Sequence, residues 1–139
     1  MDCKVRWTGD GMSFLAESGS GHLVAMDGSP DGGGRNLAAR PMELVLIGAA
    51  GCTAYDVVLI LKRGRHEIRA CDVEVHAERA ASDPKVFTEI RLRYRIRGRA
   101  LDPAAVDRAV ALSHEKYCSA TAMLSKTATI HHEIVVELD

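Results

Sequence analysis

The sequence predicts an α+β protein whose elements follow in the order β-β-β-α-β-β-α-α-β. Three observations predict this class. One long apolar run has the signals of a helix, two alternating runs after it have the period of strands, and a second helix start precedes a last alternating run. A length of 139 residues, with 47% hydrophobic and 27% charged residues, suits one globular domain, which we predict over residues 1–139.

Three short strands are predicted before the long helix, near Lys4 to Thr8, Ser13 to Glu17 and Leu23 to Met26. The link Gly9-Asp-Gly11 favours a tight hairpin, because glycine and aspartate both tolerate positive φ. The three strands therefore predict a meander. The glycine-rich stretch from Gly28 to Arg35 predicts a flexible loop ahead of the helix.

The central helix is predicted from Pro41 to about Arg63. Proline suits the first helical turn, and Gly64 follows two basic residues that suit the last one. The run is nearly long enough to cross a bilayer, but Glu43 and Asp56 lie inside it, and a carboxylate near the bilayer centre costs several kcal/mol. We therefore interpret it as a long buried core helix, with no membrane partner.

This helix carries almost no polar stripe, and a helix that is apolar on all sides has to be covered by other protein. At about 100° per residue, Gly48, Cys52 and Asp56 fall on one face. One sheet and two short helices are too few to cover such a helix, whereas a second copy of the chain would suffice. We therefore predict an obligate homodimer with the Cys52 helix at or near the interface.

Two alternating runs follow, Ile68 to Glu78 and Val86 to Arg97. Arginines on the outward face of the second run indicate either ion pairs or a nucleic-acid stripe. A formal charge of −1 and an aromatic content of 4% favour ion pairs, with no nucleic-acid partner. The predicted inward residues of the second run are Val86, Thr88, Ile90, Leu92, Tyr94 and Ile96, and the predicted acidic partners are Asp72, Glu74 and Glu78.

The second helix is predicted to start with Asp102 as N-cap and Pro103 in the first turn. Ser119 is predicted to cap a third helix that runs to about Lys126, and a last strand is predicted from Thr129 to Leu138. The predicted inward residues are Val106, Ala109, Val110, Ser113 and Tyr117 on the second helix, and Ile130, His132, Ile134, Val136 and Leu138 on the last strand.

Four cysteines, at 3, 52, 71 and 118, occur without any C-x-x-C pair, which argues against a zinc knuckle or a disulfide scaffold. Cys52 lies in mid-helix and, taken alone, looks like a buried structural cysteine. Cys118 directly precedes a predicted helix start, where free N–H groups favour a thiolate. His131, His132 and Glu133 alternate faces in a strand and cannot all reach one ion, so neither metal nor cofactor is predicted.

Two cysteine motifs carry a resemblance to a known family. Pro41-Met-Glu-Leu-Val-Leu-Ile-Gly-Ala-Ala-Gly-Cys52-Thr-Ala-Tyr-Asp-Val-Val58 and Glu115-Lys-Tyr-Cys118-Ser-Ala-Thr-Ala-Met-Leu124 resemble the OsmC/Ohr family of thiol-dependent peroxidases, in its OsmC-like branch. The resemblance implies an OsmC-like fold and an intertwined homodimer with active sites at the interface. It also implies that Cys52 reduces an organic hydroperoxide and becomes a sulfenic acid, that Cys118 resolves it as a disulfide, and that a dithiol reductant restores both thiols.

One position departs from the family pattern. The family peroxidases carry a Glu directly after the helix-opening proline and an Arg in the preceding region, and these keep the reactive thiol ionised. Here Met42 occupies the Glu position. The candidates for activating Cys52 in this chain are Glu43, Arg35, Arg40 and Asp56.

A second interpretation is a non-catalytic module that binds a small ligand in a pocket over Cys52, and the Met42 departure favours it. No apolar signal segment or targeting motif is recognised in Met1 to Trp7, so a cytoplasmic location is expected.

Overall fold

The computed structural model describes residues 1–139 and confirms the predicted order of elements. Residues 1–46 form one compact unit and residues 47–139 another, and the single domain expected over the whole chain stays a prediction. The strands are β1 Cys3–Trp7, β2 Phe14–Ser18, β3 Leu23–Met26, β4 Glu67–Arg79, β5 Phe87–Arg99 and β6 Thr129–Leu138, and the helices are α1 Pro41–Arg63, α2 Pro103–Leu112 and α3 Ser119–Leu124.

Strands β1, β2 and β3 form the predicted antiparallel meander in residues 1–46. The loop after it is held by the Asp27 carboxylate, which accepts hydrogen bonds from the backbone N–H groups of Gly28, Arg35 and Leu37. Arg35 in turn donates two hydrogen bonds to the carboxylate of Asp10, at 2.8 and 2.7 Å. The stretch predicted as a flexible loop is therefore tied to the meander at both ends.

Strands β4, β5 and β6 form the sheet of residues 47–139, with β5 in the centre, antiparallel to β4 and parallel to β6. The inward side chains of β5 are Phe87, Ile90, Leu92, Tyr94 and Ile96, all buried. The prediction was wrong for Val86 and Thr88, which are exposed. The register shifts between Glu78 and Arg79 on β4, and this irregularity changes the alternation near the start of β5.

The arginines on the outer face of β5 form ion pairs, mostly with β6 and the residue after it. Arg93 lies 3.7 Å from Glu133, and Arg95 lies 3.4 Å from Glu137. Of the three predicted partners on β4, only Glu74 pairs with an arginine, at 4.0 Å from Arg93, whereas Glu78 pairs with His76. Each pair is largely exposed and contributes no more than about 1 kcal/mol. The register of β6 contributes to this pairing, since Glu133 lies opposite Arg93 and Glu137 lies opposite Arg97.

Helix α1 begins and ends at the predicted residues. Glu43 Oε1 accepts a hydrogen bond from the backbone N–H of Arg40 at 2.9 Å, which satisfies a group that the helix itself leaves free. By length and composition α1 could cross a membrane. Its buried residues nevertheless form a stripe at four-residue spacing, Ala49, Thr53, Val57 and Leu61.

One face of α1 is open in the single chain. The side chains of Ile47 and Tyr55 are 59% and 70% exposed. At 100° per residue, Ile47, Gly51, Tyr55 and Val58 lie within about 40° of a common direction, roughly opposite to Thr53. The expected burial of this second face stays a prediction.

The link between α2 and α3 contains a turn of π-helix, Ser113–Tyr117, in which the backbone N–H of Cys118 donates to the carbonyl of Ser113 at 2.8 Å. This wider turn moves Tyr117 out of the inward stripe, and its side chain is 51% exposed, so its predicted burial was wrong. The cap of α3 is Cys118 and not the predicted Ser119, and the helix ends at Leu124.

Asp102 caps α2 as predicted: its Oδ1 accepts a hydrogen bond from the backbone N–H of Ala104 at 3.0 Å. The predicted inward residues Val106, Ala109, Val110 and Ser113 are buried. On β6 the prediction was right for Ile130, Ile134 and Val136, which are half-buried, and wrong for His132 and Leu138, which are exposed. These two lie on an edge strand whose inward face is only partly covered.

Candidate functional site

The candidate site is where Cys52, Asp56 and Cys118 meet. One ligand atom from each side chain, the two sulfurs and a carboxylate oxygen, lies within 4.8 Å of the others. Helix α1 presents Cys52 and Asp56 one turn apart. The π-helical turn ends directly before Cys118 and places it at the start of α3. Two sulfurs from distant parts of the sequence are therefore brought together within residues 47–139.

The two thiols have different surroundings. Cys52 is half-buried, whereas Cys118 is only 2% exposed. The Cys118 sulfur accepts a hydrogen bond from the backbone N–H of Thr121 at 3.4 Å. Burial raises the pKa of the Cys118 thiol and the neighbouring Cys52 raises it further, while the hydrogen bonds with Thr121 lower it. The N–H group at the helix start favours the Cys118 thiolate as expected, but burial outweighs it and the net pKa of Cys118 is raised.

Asp56 is tied to a buried series of hydroxyl groups. The hydroxyl of Ser113 donates to Asp56 Oδ2 at 3.0 Å. Thr53 Oγ1 lies 2.8 Å from Ser113 Oγ and 2.7 Å from the hydroxyl of Tyr94. The Tyr94 hydroxyl lies 2.9 Å from Nε2 of His114. Thr53, Ser113 and Tyr94 are fully buried, so each hydrogen bond matters, because an unpaired hydroxyl there would cost about 1–3 kcal/mol.

These hydroxyl residues and His114 were not recognised as site residues from the sequence. Thr53 stands among the apolar residues of α1, Tyr94 on the inward face of β5, and Ser113 on the inward stripe of α2. A polar side chain at a position that periodicity places inward was the available signal, since buried hydroxyls require partners.

Burial and the adjacent His132 lower the pKa of His114. The two imidazole rings are stacked, with centroids 4.9 Å apart and planes 10° from parallel. Burial also raises the pKa of Tyr94. Both groups are therefore neutral near pH 7.

We expect His114 to make the protein less stable on acidification. Because its folded pKa lies below its unfolded value near 6.5, the unfolded chain binds the proton first as the pH falls below that value. The stabilisation is complete above about pH 6.5 and is lost toward the lower folded pKa, by at most about 1.4 kcal/mol per pH unit. Urea unfolding at pH 7.5 and 5.5 should show a larger loss for the wild type than for His114→Gln. Equal losses would contradict this expectation.

Two of the other activation candidates, Arg35 and Glu43, have side-chain partners in residues 1–46. The guanidinium of Arg35 is paired with Asp10, and the carboxylate of Glu43 accepts from the backbone N–H of Arg40. The Asp10 carboxylate raises the pKa of Arg35. The role of these three residues in activating Cys52 stays a prediction.

Cys52, Asp56 and Cys118 are also the residues that could hold a metal ion, as a set of two thiolates and one carboxylate. His131 and His132 do not join such a set. His131 Nε2 lies 3.5 Å from Glu89, whereas His132 is stacked on His114.

Comparisons with known proteins identify the family and the fold. Residues 32–133 match the family model described as OsmC-like protein. The chain is 46% identical over 136 residues to protein YhfA of Escherichia coli K12, covering 98% of each chain. It is similar to a solved structural-genomics chain, with a TM-score of 0.89, 44% identity and full coverage of both chains. It is also similar to an organic hydroperoxide resistance protein OsmC from Legionella pneumophila, with a TM-score of 0.73, 17% identity, and coverage of 97% and 96%.

Proposed function

We propose, starting from the fact that this chain belongs to the OsmC-like family, that it is a thiol-dependent peroxidase that reduces organic hydroperoxides in oxidative-stress defence. The observation that carries the proposal is the approach of Cys52 and Cys118, whose sulfurs lie within 4.8 Å although they are 66 positions apart in the sequence. The similar Legionella protein is named for organic hydroperoxide resistance, which supports the substrate class.

Cys52 is the first nucleophile in this proposal. It is half-buried and so more accessible to a peroxide than the buried Cys118, whose raised pKa keeps it protonated near pH 7. The Cys52 thiolate attacks one oxygen of the hydroperoxide, the O–O bond breaks, and the alkoxide leaves. The products are the Cys52 sulfenic acid and, once the alkoxide is protonated, an alcohol.

Asp56 supplies the proton transfer. Its carboxylate accepts the proton of the Cys52 thiol before the attack and returns it to the alkoxide afterwards, so that the proton count balances. A carboxylate oxygen of Asp56 lies within 4.8 Å of both sulfurs, as this role requires. This role differs from electrostatic activation by a cation, for which Arg35 and Arg40 remain the candidates.

Cys118 resolves the intermediate. Its sulfur attacks the sulfenic acid, a Cys52–Cys118 disulfide forms, and water leaves. A dithiol reductant then restores both thiols by exchange. No cofactor enters this cycle. A cytoplasmic location, where thiols are kept reduced, suits it.

The active form in this proposal is a homodimer. The open apolar face of α1, with Ile47, Gly51, Tyr55 and Val58, is the surface that a second copy would cover. Cys52 lies about 100° around the helix from Gly51, at the border between this face and the buried stripe. A second subunit would thus enclose the thiol in apolar surroundings, which favours an organic hydroperoxide over hydrogen peroxide.

The test is a thiol count after stoichiometric cumene hydroperoxide. We expect two thiols to be lost per chain, with a disulfide between Cys52 and Cys118, and no disulfide in Cys52→Ser. The matched control is Cys71→Ser, which removes a half-buried thiol on β4 and should leave the loss at two.

Unchanged thiols under catalytic exposure would contradict the peroxidase and support the second candidate, a small-ligand-binding protein of the same fold. Met42 at the position of the family Glu favours that candidate.

A further inference from the structure

The buried hydroxyls of Tyr94, Thr53 and Ser113 form a continuous series between His114 and Asp56, named here the hydroxyl relay. We propose that in the hydroxyl relay every hydroxyl donates its hydrogen bond toward Asp56. In this way the relay orients the Asp56 carboxylate toward the two sulfurs. It rests on the proposed function for its chemical purpose. The residues it adds to the site are Tyr94, Thr53, Ser113 and His114, whose role is to position Asp56.

The donor and the acceptor of each hydrogen bond in the relay follow from the single proton that each hydroxyl carries. A carboxylate has no proton to donate, so Ser113 uses its only hydroxyl proton on Asp56. Ser113 can then only accept at the 2.8 Å contact with Thr53, so Thr53 donates there. By the same reasoning, Tyr94 donates to Thr53 at 2.7 Å. Every proton in the relay therefore points toward Asp56.

The last link determines the tautomer of His114. The Tyr94 hydroxyl has already used its proton, so at 2.9 Å it can only accept, and Nε2 of His114 must carry a hydrogen. A neutral His114 is thus the Nε2–H form. Packing of the imidazole alone would impose no such choice, and the tautomer is therefore a readout of the relay itself.

The relay holds one carboxylate oxygen of Asp56 and leaves the other free. A proton acceptor within 4.8 Å of both sulfurs works only if its orientation is maintained, because a displacement of about 1 Å can cost about 100-fold in rate. Three elements contribute to the relay, α1, β5 and the π-helical turn after α2. Their packing is thereby coupled to the position of the carboxylate.

The experiment uses ¹⁵N-labelled full-length protein at pH 7.5 and reads the His114 ring nitrogens. We expect Nε2–H in the wild type. In Thr53→Val, Tyr94 loses its acceptor and becomes free to donate to Nε2, so the Nδ1–H form should appear; Thr53→Ser retains the hydroxyl and should keep Nε2–H. Tyr94→Phe removes the hydroxyl that faces Nε2 and should give a mixture of the Nε2–H and Nδ1–H forms. Its matched control is Tyr117→Phe, whose ring is exposed.

The same variants are then treated with stoichiometric cumene hydroperoxide. Formation of the disulfide should slow about tenfold in Thr53→Val and recover in Thr53→Ser. Nδ1–H in the wild type, or an unchanged tautomer in both Thr53→Val and Tyr94→Phe, would overturn the relay. If the wild type loses no thiols, the peroxidase proposal fails, and the tautomers alone still decide whether the relay exists.

If Thr53→Val does not fold, Ser113→Ala takes its place, with Ser125→Ala as control.

Discussion

Cys118→Ser is expected to stop the proposed cycle after one turnover and to expose Cys52 to irreversible oxidation. Without a second thiol within 4.8 Å, the Cys52 sulfenic acid cannot condense to a disulfide. Excess peroxide then oxidises it further to the sulfinic acid. In the absence of reductant, intact-mass analysis should show two added oxygen atoms on Cys52 in the variant and a disulfide in the wild type.

The control for this prediction is Cys71→Ser. Cys71 is half-buried on β4, and burial raises its pKa, so its thiol is a poor nucleophile and its loss should leave the Cys52–Cys118 disulfide intact. A Cys118→Ser protein that resists excess hydroperoxide as well as the wild type does would remove Cys118 from the resolving role.

Much of the fold follows from local signals in the sequence. Helix α1 begins at Pro41 and ends at Arg63 as predicted, because a proline, a glycine and terminal basic residues act within one turn of the helix ends. The cap at Asp102 was predictable for the same reason. Alternation identified β4 and β5, since a half-buried strand repeats every two residues.

The errors occur where a tertiary feature changes the local period. One π-helical turn displaced Tyr117 from the inward stripe, and the register shift between Glu78 and Arg79 on β4 accompanies the exposure of Val86 and Thr88. A prediction from a helix period of 3.6 or a strand period of 2 assumes that no extra residue is inserted into a helical turn or a strand. The exposure of His132 likewise depends on how much of β6 its neighbours cover.

The sequence pointed to the two cysteines of the candidate site but not to the hydroxyl groups that hold Asp56. The two cysteine motifs marked Cys52 and Cys118 as candidates, and their sulfurs lie within 4.8 Å of each other. The hydroxyl relay, in contrast, depends on three elements that meet only in the folded chain. The helix-start effect on the pKa of Cys118 was predictable, whereas the larger opposing effect of burial was not, because burial is a property of the tertiary structure.

Ile47→Asp is expected to dissociate the proposed homodimer, raising its dissociation constant at least about 100-fold, which corresponds to about 2.8 kcal/mol. Ile47 lies on the open face of α1, where it is 59% exposed in the single chain, and an aspartate covered by a second subunit would be desolvated without a partner. Sedimentation velocity should show a dimer for the wild type and for the apolar control Ile47→Leu, and a monomer for Ile47→Asp. A monomeric wild type at micromolar concentration would contradict the dimer. Because Cys52 borders this face, the monomer should also form its disulfide more slowly with cumene hydroperoxide, while the core facing Thr53 stays unchanged.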